Sequence, residues 1–267
     1  MAKTKRQIAF VLASTDHGTL ILNRNDEHSV GAARFGVGIE ILTNGAFCPE
    51  EVDLALKLLE LRRTLHGDGV VAIDCGANIG VHAIDWGRRM AGWGRVIAIE
   101  AQERIYYALA GNIAINNCFN VQAIHAAAAD ADGTMRIPTP NYLERASFGS
   151  LELKPLARPE NIGQTIDYRD EATTPVRALR LDSLGLERLD LIKIDVEGME
   201  IDVLRGAAEV LEKHRPIMLI EHHKSDATAM TDWLREKGYR LYNPGGMNLL
   251  AVHGEDQANS HVVQNAA

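Results

Sequence analysis

The feature of this chain that most restricts its fold is a series of short apolar runs that alternate with helical stretches between residues 68 and 223. The runs read VVAID, RVIAIE, VQAIHA, LDLIKID and PIMLIEH. Strands that alternate with helices form parallel βαβ units, and near-continuous apolarity is typical of strands that helices cover on both faces. Further on, YRLY and MNLLAVH flank a turn at Asn243-Pro244-Gly245-Gly246 and predict an antiparallel hairpin. Together these segments predict a Rossmann-like α/β fold with a mostly parallel seven-stranded sheet, helices on both faces and an antiparallel C-terminal hairpin.

Three segments follow from this pattern. Residues 1–67 form an N-terminal extension, in which we expect a hairpin from Gln7 to Asn23, a strand from Gly38 to Thr43 and a helix from Glu50 to Thr64. We expect the extension to cap the substrate side of the main domain, which spans residues 68–255. Prolines and mixed polar residues interrupt the alternation and predict an insertion of loops and short strands at about 134–180. The polar composition of residues 256–267 predicts a disordered tail.

Composition narrows the classes of function. A chain of 267 residues with 46% hydrophobic content is long enough for one enzyme-sized core. Its net charge of -8 makes a nucleic-acid partner unfavourable. The three cysteines form no C-x-x-C pair, which indicates neither disulfides nor zinc and favours a cytoplasmic location. No stretch approaches the roughly 18 apolar residues of a membrane span, and the start lacks the apolar run of a secretory signal. Oligomeric state is not predictable from these features.

A glycine-containing loop follows the first of the buried runs. Asp74-Cys75-Gly76-Ala77-Asn78-Ile79-Gly80 stands between a strand and a helical stretch, where glycines permit a sharp turn and close approach of a ligand to the backbone. The G-x-x-x-G spacing lacks the third glycine of a dinucleotide-phosphate loop, and Asp74 adds negative charge. S-adenosylmethionine carries a sulfonium and an ammonium and no phosphate, so a nearby carboxylate attracts it. Glu100 ends the next strand, where its carboxylate is placed to accept hydrogen bonds from two ribose hydroxyls.

These segments resemble the FkbM family of methyltransferases. AIDCGANIG, IAIEA, GNIAINN, AAAADADG, LIKIDVEGMEIDVLRGA and LIEHH occur in that family's order between Val70 and His223. The resemblance implies a class I methyltransferase fold, S-adenosyl-L-methionine as cofactor and methylation of a hydroxyl oxygen on a sugar or secondary-metabolite-type small molecule. The chain departs from the family at Ala101, where proline is usual. The implied cofactor contacts are Asp74, Gly76, Ala77, Asn78, Gly80, Glu100 and Ala101, with Ala126 and Ala127 near the adenine.

Ionisable residues follow two of the predicted parallel strands. Lys193, Asp195 and Glu197 alternate along one strand end and therefore share a face, as do Glu221 and His223 at the next strand end. The carboxyl ends of parallel strands border the ligand crevice of such sheets, so we interpret Asp195, Glu197, Glu221 and His223 as the candidate catalytic residues. His223 suits a general base for a hydroxyl, because an imidazole titrates near neutral pH.

Several alternatives stay open at this point. Lys193 and Asp195 would equally form a structural pair, and Glu221 would simply satisfy His223. The carboxylates and imidazole would also suit a divalent metal such as Mg²⁺, so the sequence does not decide between a base and a metal. A nicotinamide-dinucleotide oxidoreductase and a non-catalytic cofactor-binding module are the rival functions. The acceptor, a small molecule or glycan, is not specified by any motif.

Overall fold

The computed structural model describes residues 6–31 and 33–264. Its strands are β1 (Phe10–Thr15), β2 (Gly18–Asn23), β3 (His28–Val30), β4 (Ala33–Phe35), β5 (Val70–Cys75), β6 (Gly94–Glu100), β7 (Val121–His125), β8 (Ala127–Ala128), β9 (Gly133–Pro138), β10 (Thr173–Leu179), β11 (Leu191–Ile194), β12 (Ile217–Glu221), β13 (Tyr239–Tyr242) and β14 (Asn248–His253). Its helices are α1 (Val37–Asn44), α2 (Pro49–His66), α3 (Val81–Arg89), α4 (Glu103–Ile115), α5 (Glu200–Gly206), α6 (Ala208–His214), α7 (Ala227–Glu236) and α8 (Asn259–Gln264).

The centre of the fold is a seven-stranded sheet with the order β13-β14-β12-β11-β5-β6-β7. The five strands from β12 to β7 are parallel, and β14 pairs antiparallel with both β12 and β13. Every residue of β5 is buried, as a strand covered on both faces requires. One apolar cluster packs α2, α3 and α4 against one face, and a second packs α5, α6 and α7 against the other. The predicted Rossmann-like sheet and C-terminal hairpin are therefore confirmed.

The N-terminal extension contains the expected β1–β2 hairpin and the expected long helix, which runs over Pro49–His66. The prediction of a strand over Gly38–Thr43 is wrong, because the segment lies in helix α1. Val37 and Ile41 are both buried one helical turn apart. The buried Asp26 carboxylate accepts the backbone N–H of Gly38 at 3.1 Å and holds the first turn.

Residues 134–180 contain strands β9 and β10, joined by a long loop. These strands pair antiparallel with each other, and β10 pairs parallel with β8, giving a small second sheet.

The end of the described chain differs from the expected disordered tail, because helix α8 covers Asn259–Gln264. The Asn259 amide donates to the carbonyls of His253 and Asp256 at 2.8 Å each, which fixes the start of this helix. The expectation for residues 265–267, like that for the first five residues, lies outside the described residues. No helix within residues 6–31 and 33–264 has both the length and the apolar character that crossing a bilayer requires.

Candidate active site

The glycine loop connects β5 to α3 at the carboxyl edge of the sheet. Gly76 has φ +80°, and a Cβ built there would lie 1.7 Å from the carbonyl oxygen of Asp195. Asn78 also has a positive φ of +50°, and Gly80, with φ +95°, precedes the first residue of α3. Glycine is thus required at position 76 for two reasons. Its φ is positive, and the backbone at the end of β11, the neighbouring strand of the sheet, approaches too closely for a side chain.

Glu100 closes the other side of this loop. Its carboxylate accepts the backbone N–H of Asn78 at 2.9 Å and that of Gln102 at 2.7 Å. The side chain is buried, and burial raises the pKa of Glu100 to about 7 against the lowering effect of those two N–H groups. A group that donates hydrogen bonds to this carboxyl would stabilise its charged form.

The sequence-predicted cofactor residues fall into two sets around one cavity. Gly76, Ala77, Asn78, Glu100, Ala101, Ala126 and Ala127 line the cavity wall. Asp74 and Gly80 are not among the residues that line it. Both carboxylate oxygens of Asp74 are buried and lack a hydrogen-bond partner, and burial raises the pKa of Asp74. The charge of Lys193, the register partner of Asp74 on β11, opposes this effect of burial.

Three of the predicted catalytic residues form a cluster of carboxyl groups. One oxygen each of Asp195, Glu197 and Glu221 lies within 4.8 Å of the others. Burial and the charge of Asp195 raise the pKa of Glu221 to about 10 and that of Glu197 to about 8. Burial alone would raise the pKa of Asp195, but the charge of Lys193 and a hydrogen bond from Glu221 hold it well below its ordinary range. At neutral pH the cluster therefore contains a charged Asp195 and a protonated Glu221.

Lys193 is part of this cluster through its 2.7 Å contact with Asp195. Its side chain is buried, and although burial lowers its pKa, the charges of Asp195, Glu51 and Asp74 raise it above the ordinary value. The pairing that the sequence leaves open for Lys193 is present, and it fixes the charge of Asp195.

His223 lies beside the carboxyl cluster. Its Nδ1 is 3.4 Å from Oε1 of Glu221, and about a third of its side chain is exposed to the cavity. His223 also approaches Glu160 and Glu197, with one ligand-type atom from each of the three within 4.8 Å. All four predicted catalytic residues are thus brought together at the ends of β11 and β12.

Sequence reasoning missed Lys224, the residue after His223. Its Nζ lies 2.5 Å from Glu197 Oε2 and 2.7 Å from Glu160 Oε2, and it donates to the carbonyl of Ser150 at 2.8 Å. Glu160 and Ser150 belong to the loop between β9 and β10, so Lys224 joins that loop to the sheet edge. The lysine follows the E-x-H segment directly, but nothing in the sequence around Glu160 indicates this contact.

Glu51 is the second residue that sequence reasoning missed, since its position at the start of α2 suggests only a favourable charge in a first helical turn. Its carboxylate lies 3.6 Å from Lys193 and 3.2 Å from Nε2 of His82, and accepts from Asn248 Nδ2 at 2.8 Å. Burial would raise the pKa of Glu51, but His82 and the charge of Lys193 lower it to about 2. Glu51 therefore brings a permanent negative charge from the N-terminal extension to the site.

The loop and the carboxyl cluster border the same cavity, which has a volume of about 1550 Å³. Pockets that hold one drug-sized ligand span roughly 300–1,000 Å³. The cavity is therefore large enough for a nucleoside cofactor and a second molecule side by side.

Comparison with known proteins gives consistent matches. A family model described as "Methyltransferase FkbM domain" matches residues 74–241, more than half of the chain. The AMB antimetabolite synthetase AmbE of Pseudomonas aeruginosa is 42% identical over 94 residues, which are 31% of this chain and 4% of that protein. The methyltransferase sdnD of Sordaria araneosa is 27% identical over 160 residues, 51% of this chain and 60% of that protein. The chain thus spans only part of these relatives.

A solved FkbM methyltransferase from Methylobacillus flagellatus KT is 18% identical, with a TM-score of 0.48. The match covers 70% of this chain and 43% of that chain.

Proposed function

Because the chain belongs to the FkbM methyltransferase family, we propose that it transfers a methyl group from S-adenosylmethionine to a hydroxyl oxygen of a small molecule. The observation that carries this proposal is the single cavity that borders both the glycine loop with Glu100 and the cluster at Asp195, Glu197, Glu221 and His223. A methyl donor and its acceptor must meet in one such space, and holding them in line supplies much of the acceleration.

The cofactor side of the proposal rests on Glu100 and Asp74. Both oxygens of Glu100 already accept one backbone N–H each, which fixes the carboxyl with remaining lone pairs for ribose hydroxyls. Asp74 lies in β5 directly before the loop, and its charged form would favour a cationic cofactor. When bound, S-adenosylmethionine supplies an electrophilic methyl group on a sulfonium.

His223 is the proposed base for the acceptor hydroxyl. The contact of its Nδ1 with Glu221 orients the ring, so that Nε2 is the nitrogen available to take a proton. Protonated Glu221 is hydrogen-bonded to Asp195, whose charge is held by Lys193. The negative charge of Asp195 then stabilises the imidazolium through Glu221. The role proposed for Glu221 and Asp195 is therefore positioning and charge, with proton transfer at His223.

We favour this base over a divalent metal because lysine ammonium groups already contact two of the three carboxyl groups. Lys193 contacts Asp195 at 2.7 Å, and Lys224 contacts Glu197 at 2.5 Å. A metal at the Asp195–Glu197–Glu221 group would have to displace or repel these ammonium groups. Turnover that is insensitive to a chelator is the expected result, and loss of turnover that Mg²⁺ restores would replace the base by a metal.

Cofactor binding is tested by calorimetry with S-adenosylhomocysteine. We expect micromolar or tighter binding by the wild type and no detectable binding by Glu100→Ala, because the buried carboxyl is lost. Glu103→Ala is the matched control, since Glu103 is an exposed carboxylate at the start of α4. Binding of NADH in place of S-adenosylhomocysteine would overturn the proposal.

The base is tested by comparing His223→Gln with His222→Gln. His222 follows the same strand but is not a member of the carboxyl cluster. Methyl transfer from isotope-labelled S-adenosylmethionine to a small-molecule extract is measured by mass spectrometry. We expect His223→Gln to slow product formation about 10²-fold or more while binding S-adenosylhomocysteine normally, and His222→Gln to keep its activity. Full turnover by His223→Gln would contradict the assignment.

A further inference from the structure

The cavity continues beyond the carboxyl cluster as a groove between α2 on one side and the ends of β13, β14 and α8 on the other. Glu51 and Asn248 mark its inner end and are hydrogen-bonded to each other at 2.8 Å. The groove residues lie outside residues 74–241, the segment that the family model matches. Recognition in this groove is therefore a property of this chain's own flanking segments.

The groove has an apolar floor. Leu54, Leu58 and Leu61 of α2 are spaced by four and three residues and form one stripe along the helix. The opposite side is lined by Tyr242, Leu250 and Val262. From Glu51 to Leu61 the helix rises about 15 Å, so the stripe leads well away from the carboxyl cluster.

Four of these six side chains are only partly buried. Leu54, Leu61, Tyr242 and Val262 pack against the main apolar cluster and keep part of their surface toward the cavity. Concave apolar surface of this kind gains free energy when a ligand removes it from water.

Buried polar contacts fix the α2 side of the groove and the side opposite it. Arg62 of α2 is buried and forms an ion pair with Asp256 in the turn before α8. The hydroxyl of Tyr242 donates to Asn259 at 2.8 Å, and the Asn259 amide holds the chain that leads into α8. The groove is thus preformed, and no segment of residues 6–31 and 33–264 fills it.

We propose that the methyl acceptor is an amphiphile, with a hydrocarbon portion that lies in the α2–α8 groove and a hydroxyl head that reaches His223. This inference rests on the proposed function and specifies its acceptor class. The polar inner end at Glu51 and Asn248 and the apolar floor beyond it match a molecule that is polar at one end only. The cavity volume of about 1550 Å³ leaves room for such a molecule beside a nucleoside.

The test uses n-alkyl β-D-glucosides with methyl, butyl, hexyl and octyl chains, each kept below its micelle concentration. Their affinity is measured by calorimetry on the protein saturated with S-adenosylhomocysteine. We expect the dissociation constant to fall with each added methylene, by up to about fourfold for complete burial.

Two variants test whether the alkyl chain of the glucoside lies in the groove. Leu61→Asp and Val262→Asp place a charge on either side of the groove and should each flatten the dependence on chain length, while S-adenosylhomocysteine binds as in the wild type. Phe119→Asp is the control, since Phe119 is 95% exposed in the turn before β7 and is not among the residues that line the cavity. It should keep the full dependence.

The outcomes separate the two proposals. If the protein binds S-adenosylhomocysteine but its affinity for the glucosides does not depend on chain length, the amphiphile inference is overturned and the proposed function stands. The same holds if Leu61→Asp and Val262→Asp behave like Phe119→Asp. If S-adenosylhomocysteine itself does not bind, the proposed function fails.

Discussion

The protonated state of Glu221 leads to an unusual expectation, namely that replacing a residue of the catalytic cluster makes the protein more stable. Burial and the neighbouring charge of Asp195 raise the pKa of Glu221 from an ordinary 4.5 to about 10. Between these values the native state holds a proton that the unfolded state has lost. The contribution of Glu221 to stability is therefore greatest below pH 4.5 and falls as pH rises toward 10.

The size of this effect follows from 1.36 kcal/mol per pH unit. At pH 7 the raised pKa of Glu221 lowers the free energy of unfolding by about 3 kcal/mol relative to a carboxyl whose pKa does not change on folding, and this cost grows by about 1.4 kcal/mol per pH unit up to pH 9. Glu221→Gln keeps the shape of the side chain and a donor for Asp195, but has no proton to take up. We expect the variant to be more stable than the wild type by about 3 kcal/mol at pH 7, or roughly 6–12 °C in melting temperature.

Urea unfolding at pH 6, 7, 8 and 9 measures the difference between Glu221→Gln and the wild type. Glu236→Gln is the matched control, because Glu236 lies exposed on α7 and should show no pH-dependent difference. A variant that is less stable than the wild type at pH 8, or a difference that stays constant from pH 6 to 9, would show that Glu221 is ionised in the native protein and would refute the reasoning.

Three further changes have distinct expected results. Gly76→Ala should abolish S-adenosylhomocysteine binding, measured by calorimetry, and should lower the free energy of unfolding by more than about 3 kcal/mol. Gly92→Ala is the control, because Gly92 has a similar positive φ but lies in open space; thermal unfolding should show a loss of only about 1–2 kcal/mol. Lys224→Met leaves Glu197 without its cation, so its loss of stability should grow from pH 6 to pH 9 in urea titrations. Asp26→Asn should gain stability relative to the wild type as pH rises from about 4 to 7, because burial raises the pKa of Asp26 to about 7 and the native wild type then holds a proton that its unfolded state has lost; a difference that stays constant over this range in urea titrations would contradict this.

Local patterns were sufficient to predict the central sheet. The five apolar runs correspond to β5, β6, β7, β11 and β12, and YRLY and NLLAVH to the C-terminal hairpin. The period of two along a strand also predicted that Glu221 and His223 share a face, and their side chains are in contact. Gly76 was identified from its place after a strand, although the atom that makes glycine necessary, the carbonyl oxygen of Asp195, is distant in sequence.

Long-range contacts account for what sequence reasoning missed. Helix α1 was mistaken for a strand because its first turn is held by Asp26, a dozen residues away in sequence. The role of Lys224 depends on Glu160, and that of Glu51 on Lys193 and Asn248. None of these pairs shares a local period or motif.

The amino-acid sequence by itself determined the strands of the central sheet, the glycine loop and the edge of the sheet at which the ionisable residues meet, since these depend on hydrophobic periodicity and backbone conformation. Only the tertiary structure decided which carboxyl groups carry a proton, which carboxyl groups pair with a lysine, and which face of α2 borders the groove. Protonation and shape depend on burial and on charges a few ångströms away, and those distances exist only after segments far apart in the chain have packed together.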